Sequence, residues 1–172
     1  MNHKIIFIGY MGSGKSTLGE KLASELKIPF IDSDKVIEEI ANMSIATIFK
    51  EKGEETFRKM ESMFLQSLVN IPAFVLSTGG GMPCFNNNML LLNELGVTVY
   101  LKNTTDVLAD RLLKGKNPRP LIEGKSKQEL IQFIDDNLLH REKFYSRAKL
   151  TVENKMQEIV PILKLIDELE EK

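Results

Sequence analysis

The chain has 172 residues, 42% of them hydrophobic and 27% charged, with a formal net charge of −1. That is the size of one domain with enough apolar material for a core, and the charge balance offers no strong hold on nucleic acid or an anionic membrane. No secretory h-region or membrane-spanning apolar run is found, and the lone cysteine, Cys84, has no internal disulfide partner, which fits a reducing cytoplasm.

Ile5-Ile6-Phe7-Ile8 reads as a buried strand, the first of five expected at 4–8, 29–31, 73–77, 97–101 and 148–152. It runs into Gly9-Tyr10-Met11-Gly12-Ser13-Gly14-Lys15-Ser16-Thr17, the pattern G-x-x-x-x-G-K-S. Glycines there let backbone N–H groups crowd around phosphate oxygens. Gly12, Ser13, Gly14, Lys15, Ser16 and Thr17 are the expected phosphate cradle, with Lys15 for the β/γ-phosphates and the Ser16 hydroxyl for Mg²⁺. Leu18, Leu22 and Leu26 then line one face of a helix over 15–27, whose N-terminus adds its own attraction for phosphate. Strand, loop, helix is the order such a loop requires. A nucleoside triphosphate is therefore the expected ligand, though binding alone does not imply catalysis.

Asp32-Ser33-Asp34 follows the second strand, at the carboxyl end where open α/β sheets bind ligands. One carboxylate suits a Mg²⁺ shell and the other a hydroxyl proton; either one also suits an N-cap. Helices are expected near 34–41, 44–52 and 53–70. In the third, Phe57, Met60, Phe64, Leu65 and Leu68 make one apolar stripe. Arg58 and Glu61 stand at i, i+3, either as a surface ion pair or with Glu61 aiming Arg58 at an anion.

Ser77-Thr78-Gly79-Gly80-Gly81 ends the third strand. Three successive glycines there point to a ligand or a backbone in close approach. Cys84 reads better as a small half-buried residue than as a reactive thiol. Further helices are expected at 86–94, 104–113, 126–144 and 155–170, with Thr105-Asp106 capping the second of these and Ser126-Lys127-Gln128-Glu129 forming a capping box on the third. Between them, 114–125 is an irregular loop in which Arg119 stands between Pro118 and Pro120. A cation on a closing lid would neutralise a migrating phosphoryl group and exclude water. Strands alternating with helices predict one α/β domain over 1–172, a five-stranded parallel sheet with helices on both faces. Lysine outnumbers arginine heavily, and arginine is confined to Arg58, Arg111, Arg119, Arg141 and Arg147, which suggests that a planar fork is reserved for sites that need one.

In order along the chain, GYMGSGKST, the DSD pair, the GEETFRKME helix start, STGGG, the Arg-Pro-Leu loop and the late Arg…Tyr helix resemble shikimate kinase over essentially the whole length. The resemblance implies a P-loop kinase fold with a mobile lid near 114–125 and a substrate region near 33–61. It implies transfer of phosphate from ATP to a hydroxyl of shikimate, giving shikimate 3-phosphate, on the route to aromatic amino acids. It further implies that Arg58 and Arg141 clamp the acid's carboxylate and that the Gly79, Gly80 and Gly81 backbone lines the acid. Asp34 would serve as base or orienter, Ser16 and Asp32 would serve Mg²⁺, and Lys15 and Arg119 would neutralise the phosphoryl group. Arg111 would pack by the adenine, with Gln157 as the candidate polar contact from a loop that matches the family poorly. A cytoplasmic monomer acting on small molecules is expected, without nucleic acid or membrane. The alternatives are another small-molecule kinase, such as a gluconate or nucleotide kinase, and a non-catalytic nucleotide switch.

Overall fold

The computed structural model describes residues 3–115, 122–153 and 156–171. Strands β1 (Lys4–Ile8), β2 (Phe30–Asp32), β3 (Phe74–Ser77), β4 (Val97–Lys102) and β5 (Leu150–Glu153) form one parallel sheet in the order β2-β3-β1-β4-β5. The P-loop strand is thus central, and Ile5 to Ile8 are all fully buried. Burial on both faces explains why β1 is continuously apolar rather than alternating.

Alternate residues of the strands feed two cores. Ile6, Ile8, Phe74, Leu76 and Tyr100 pack with helices α2 (Ser33–Ala41), α3 (Ile45–Ser67) and α4 (Asn88–Leu95), and with Tyr145 at the end of α6 (Lys127–Tyr145). Ile5, Phe7, Val75, Val99, Leu101 and Val152 pack with α1 (Lys15–Leu26) and α7 (Ile159–Glu170). A third, smaller core joins Tyr10 of the P-loop to α5 (Thr105–Lys114) and α6 through Leu108, Leu112, Leu130 and Ile134. Each large apolar side chain so buried stabilises the fold by about 1.5–3 kcal/mol. Among the described residues no helix is long and apolar enough to cross a membrane.

Element boundaries move where capping chemistry intervenes. Gly53, at φ 80° and ψ 164°, is not helical, so α3 is two helical stretches meeting at a kink, at the junction expected between 44–52 and 53–70. The fifth strand starts two residues later than 148, because the turn that closes α6 uses those residues: Ala148 N–H donates to Tyr145 O at 3.0 Å. Asn87, left-handed at φ 58°, delays α4, and the residues before it include a 3₁₀ turn over Met82–Cys84. The last helix begins at Ile159 rather than 155. The capping box at Ser126 and Glu129 is present in full. Helix α5 is different: Thr104 is its N-cap residue, with no side-chain cap bond, and Thr105-Asp106 lie inside the first turn.

Candidate active site

The carboxyl ends of β1, β2 and β3 meet beside a cavity of about 650 Å³. It is lined by residues 11–18 of the P-loop and α1, and by Asp32, Asp34, Ser77 to Gly80, Arg111 and Gln157. That volume falls within the usual range for a small-molecule site.

The loop's shape follows from its glycines. Gly9, Gly12 and Gly14 have φ of 142°, 80° and 98°, values that side-chain-bearing residues rarely adopt. Gly14 is also the N-cap of α1, so the helix opens directly onto the cradle. Lys15 is buried and spans the loop, its Nζ donating to Gly9 O at 2.8 Å and Tyr10 O at 2.9 Å. Arg111 braces the same loop from outside: its Nη1 donates to Ser13 O at 3.0 Å and to Asn103 Oδ1 at 3.2 Å. Gln157 is fixed at the sheet's end by donating to Lys102 O at 3.0 Å and Val152 O at 3.2 Å. Both residues line the cavity.

Asp32 does two jobs at once. Its Oδ1 caps α2 by accepting from Asp34 N at 3.1 Å, and its Oδ2 accepts from Ser16 Oγ at 2.9 Å. The N-cap and the functional readings of this residue therefore do not compete. Ser77 Oγ stands 3.0 Å from Ser16 Oγ, so a carboxylate and two hydroxyls gather beside the cradle. This all-oxygen set suits a hard divalent cation that shares its shell with phosphate and water.

The three glycines after β3 each face one charged side chain. A methyl group on Gly79 would collide with Asp34 Oδ1; on Gly81 it would lie 2.8 Å from Arg58 Nη1; on Gly80 it would lie 3.6 Å from Arg141 Nη1 and 3.5 Å from Gly9 O. The triplet is thus the meeting point of Asp34, Arg58, Arg141 and the P-loop backbone. The close approach within the protein is to charged side chains and, at Gly80, to P-loop backbone as expected from sequence. Ser33 secures the arrangement, its Oγ accepting from Gly79 N at 2.8 Å.

Asp34 is held above the ordinary aspartate range, first by burial and then by the neighbouring Asp32 charge, with Lys15 pulling the other way. Such a shift makes its carboxylate a better proton acceptor. Arg58 grips two carboxylates, Glu61 at 2.8 Å and Glu54 at 2.9 Å. The Glu61 side chain is 1% exposed, so this is no surface pair. Burial pushes Glu61 up to about 7 despite Arg58. Phe85 lies under the guanidinium at 3.9 Å, with Phe57 at 5.3 Å. Arg141 in turn lies over the Tyr10 ring at 5.3 Å.

Arg58, Gly81 and Arg141 do not line the cavity itself, although Arg141 reaches the P-loop residue Tyr10 and the Gly80 that does line it. Arg119 and the Arg-Pro-Leu loop fall outside the described residues, as does the middle of the expected lid, 116–121. Sequence reasoning did not single out Ser33, Ser77, Asn103 or Phe85. The first two lie within motifs that it quoted but were given no role there, whereas Phe85 and Asn103 carry no local signal. Cys84 is half-buried, and burial pushes its thiol up to about 11, which fits an inert filler.

Comparison with known proteins now bears on the same geometry. The family model described as shikimate kinase matches residues 11–170. A shikimate kinase of Azobacteroides pseudotrichonymphae is 43% identical over 166 residues, covering 92% of this chain and 98% of its own. The crystal structure of shikimate kinase from Bacteroides thetaiotaomicron superposes with a TM-score of 0.89 at 39% identity, covering 98% of both chains. Shikimate kinase from Acinetobacter baumannii, solved in complex with shikimate, gives 0.83 at 32% identity, covering 99% of this chain and 94% of its own. The chain belongs to the shikimate kinase family.

Proposed function

We infer that this protein transfers the γ-phosphoryl group of ATP to a hydroxyl of shikimate, giving shikimate 3-phosphate and ADP, in aromatic amino-acid biosynthesis. The observation that carries the reading is the glycine triplet, where a carboxylate suited to a hydroxyl and two guanidiniums suited to a carboxylate converge within reach of a P-loop. A nucleobase has no use for two such guanidiniums. A gluconate kinase is disfavoured by the family match.

The roles follow from position. The N–H groups of residues 12–17 cradle the phosphates, and Lys15 exchanges its loop carbonyls for phosphate oxygens. Ser16 and Asp32 would hold Mg²⁺, which supplies charge neutralisation between the phosphates. Asp34 accepts the proton of the attacking hydroxyl, or holds its oxygen in line with phosphorus. As the new P–O bond forms, the bond to the β-phosphate oxygen breaks and ADP leaves. Arg58 and Arg141 hold the acid's carboxylate, and the triplet's backbone lines its ring. Arg111 and Gln157 lie on the adenine side. Arg119 is assigned to the migrating phosphoryl group from its place between two prolines in the sequence. Catalysis of this kind is mostly positioning and electrostatics.

A coupled ADP-release assay tests the reading, with shikimate, gluconate and nucleoside monophosphates as acceptors. Shikimate should give the highest kcat/KM by at least about a hundredfold, since a site built for hydrogen bonds rejects mismatched polar ligands strongly. Faster turnover of gluconate or of a nucleotide would overturn it.

A further inference from the structure

Tyr145 is fully buried at the last turn of α6, and its hydroxyl donates to Gly80 O at 2.5 Å. Its ring packs against that of Tyr100 with centroids 5.1 Å apart. Tyr100 Oη in turn donates to Glu142 Oε2 at 2.6 Å, and Lys102 Nζ reaches Glu142 Oε1 at 2.7 Å. The end of α6 is thereby strapped to β4 by Glu142 and to the glycine triplet by Tyr145. Burial holds the Tyr145 hydroxyl well above the ordinary tyrosine range, so at neutral pH it is a proton donor.

The peptide joining Gly80 to Gly81 is planar and trans, so its carbonyl and its N–H point in opposite directions. A hydroxyl that fixes the carbonyl also aims the N–H. Neither Gly80 N–H nor Gly81 N–H has an acceptor among the described residues. The Gly81 N–H is on the residue that Arg58 approaches. Glycine would otherwise leave this peptide free to rotate, because no side chain restrains it.

We propose that Tyr145 is a positioning residue for acceptor binding: by holding the Gly80 carbonyl, its hydroxyl turns the Gly81 N–H toward the acid's carboxylate as a third donor beside Arg58 and Arg141. This rests on the acceptor assignment made above. It gives the late tyrosine a task distinct from that of Arg141 four residues earlier. The hydroxyl never touches substrate; it also meets the Arg141 side chain, and a carbonyl–amide readout separates the route through the peptide plane from one through Arg141.

The test compares Tyr145→Phe with Tyr100→Phe. Each removes one hydroxyl from the same ring pair, but only the first frees the Gly80 carbonyl. Tyr145→Phe should raise the KM for shikimate about tenfold, roughly the worth of one hydrogen bond to a charged group, with the KM for ATP within about twofold. Tyr100→Phe should leave both within about twofold. A wild-type shikimate KM in Tyr145→Phe, or an equal rise in both variants, overturns the proposal. A second readout does not depend on turnover. Labelling with ¹³C-carbonyl, ¹⁵N-glycine leaves only the Gly79–Gly80 and Gly80–Gly81 peptides visible in a carbonyl–amide correlation. In the free wild-type protein one peak should change its carbonyl shift in Tyr145→Phe, and the amide of that same peak should move when shikimate is added to wild type. Two unshifted carbonyls overturn the proposal even if the protein were to prefer another acceptor. Wild-type protein that neither binds nor phosphorylates shikimate would refute the acceptor assignment instead.

Discussion

Arg58→Lys isolates what a guanidinium does here beyond its charge. Arg58 donates Nη1 to Glu61 at 2.8 Å, and both Nη2 and Nε to Glu54, at 2.9 Å and 3.2 Å. Its flat face rests on Phe85 at 3.9 Å. A lysine ammonium keeps the charge but loses the fork and the stacking. It then faces a choice that arginine avoids. If it stays with Glu61, 1% exposed, the acid's carboxylate loses a donor. If it turns to the acid, it leaves a buried carboxylate without its partner, which costs about 1–3 kcal/mol. Either way the KM for shikimate should rise about 10–100-fold at pH 7.5, since 1.4 kcal/mol is a factor of ten. The KM for ATP should stay within about twofold, because Arg58 does not line the P-loop cavity. ADP-release kinetics with each substrate varied in turn would measure both. An unchanged shikimate KM, or equal rises for both substrates, would refute the carboxylate-clamp assignment.

The remaining predictions concern the other charged groups. Lys15→Ala and Asp34→Asn should both nearly abolish turnover, but only the first should weaken ATP in a fluorescent-nucleotide titration; equal losses would sink the division of roles. Asp32→Asn keeps an oxygen to cap α2, so its melting temperature should move by no more than a few degrees, while the Mg²⁺ concentration for half-maximal rate should rise at least about tenfold; an unchanged Mg²⁺ requirement removes Asp32 from the metal shell. Glu61 titrates from 4.5, its ordinary value, up to about 7 in the folded protein. The folded state therefore holds more protons between those limits, and stability falls as pH rises from about 4.5 through about 7. Melting curves from pH 5 to 8 should show that fall in wild type and a flatter profile in Glu61→Gln; parallel profiles would mean that Glu61 does not titrate there.

The sheet and the phosphate cradle were legible because their signals are local. An apolar tetrad followed by G-x-x-x-x-G-K-S specifies strand, loop and helix within about fifteen residues. The acceptor side is different. Arg58, Gly81 and Arg141 come from α3, the β3 loop and α6, and only the fold brings them together. From the residues alone, the Arg58–Glu61 pair looked like an ordinary i, i+3 surface contact; what changes its meaning is burial, which no spacing reports. Asp32 was ambiguous for the opposite reason. Its two oxygens divide a cap and a hydroxyl contact between them, and a sequence can state either role but not both. Thr105-Asp106 misled because polar residues in a first turn and at an N-cap look alike in sequence.

The use of arginine along the chain carries the argument one step further. Lysine is the common cation here, so each arginine asks what a point charge could not do. Arg58 holds two carboxylates at once over an aromatic face. Arg111 reaches two P-loop carbonyls and an amide oxygen through one nitrogen. Arg141 lies over the Tyr10 ring at 5.3 Å while its Nη1 faces Gly80. Arg58 and Arg141 use the planar group's face and its edge together, which is the property that separates guanidinium from ammonium, whereas the Arg111 contacts run through one nitrogen, as those of the Lys15 ammonium do. Where a single exposed contact suffices, as between Lys102 and Glu142, lysine stands instead. Arg147 departs from the pattern: it contributes its backbone carbonyl to Asn93, a contact any residue could make. Replacing it with lysine should therefore be close to neutral, whereas the same exchange at Arg58 should not be. That contrast, within one residue type, separates a requirement for geometry from a requirement for charge.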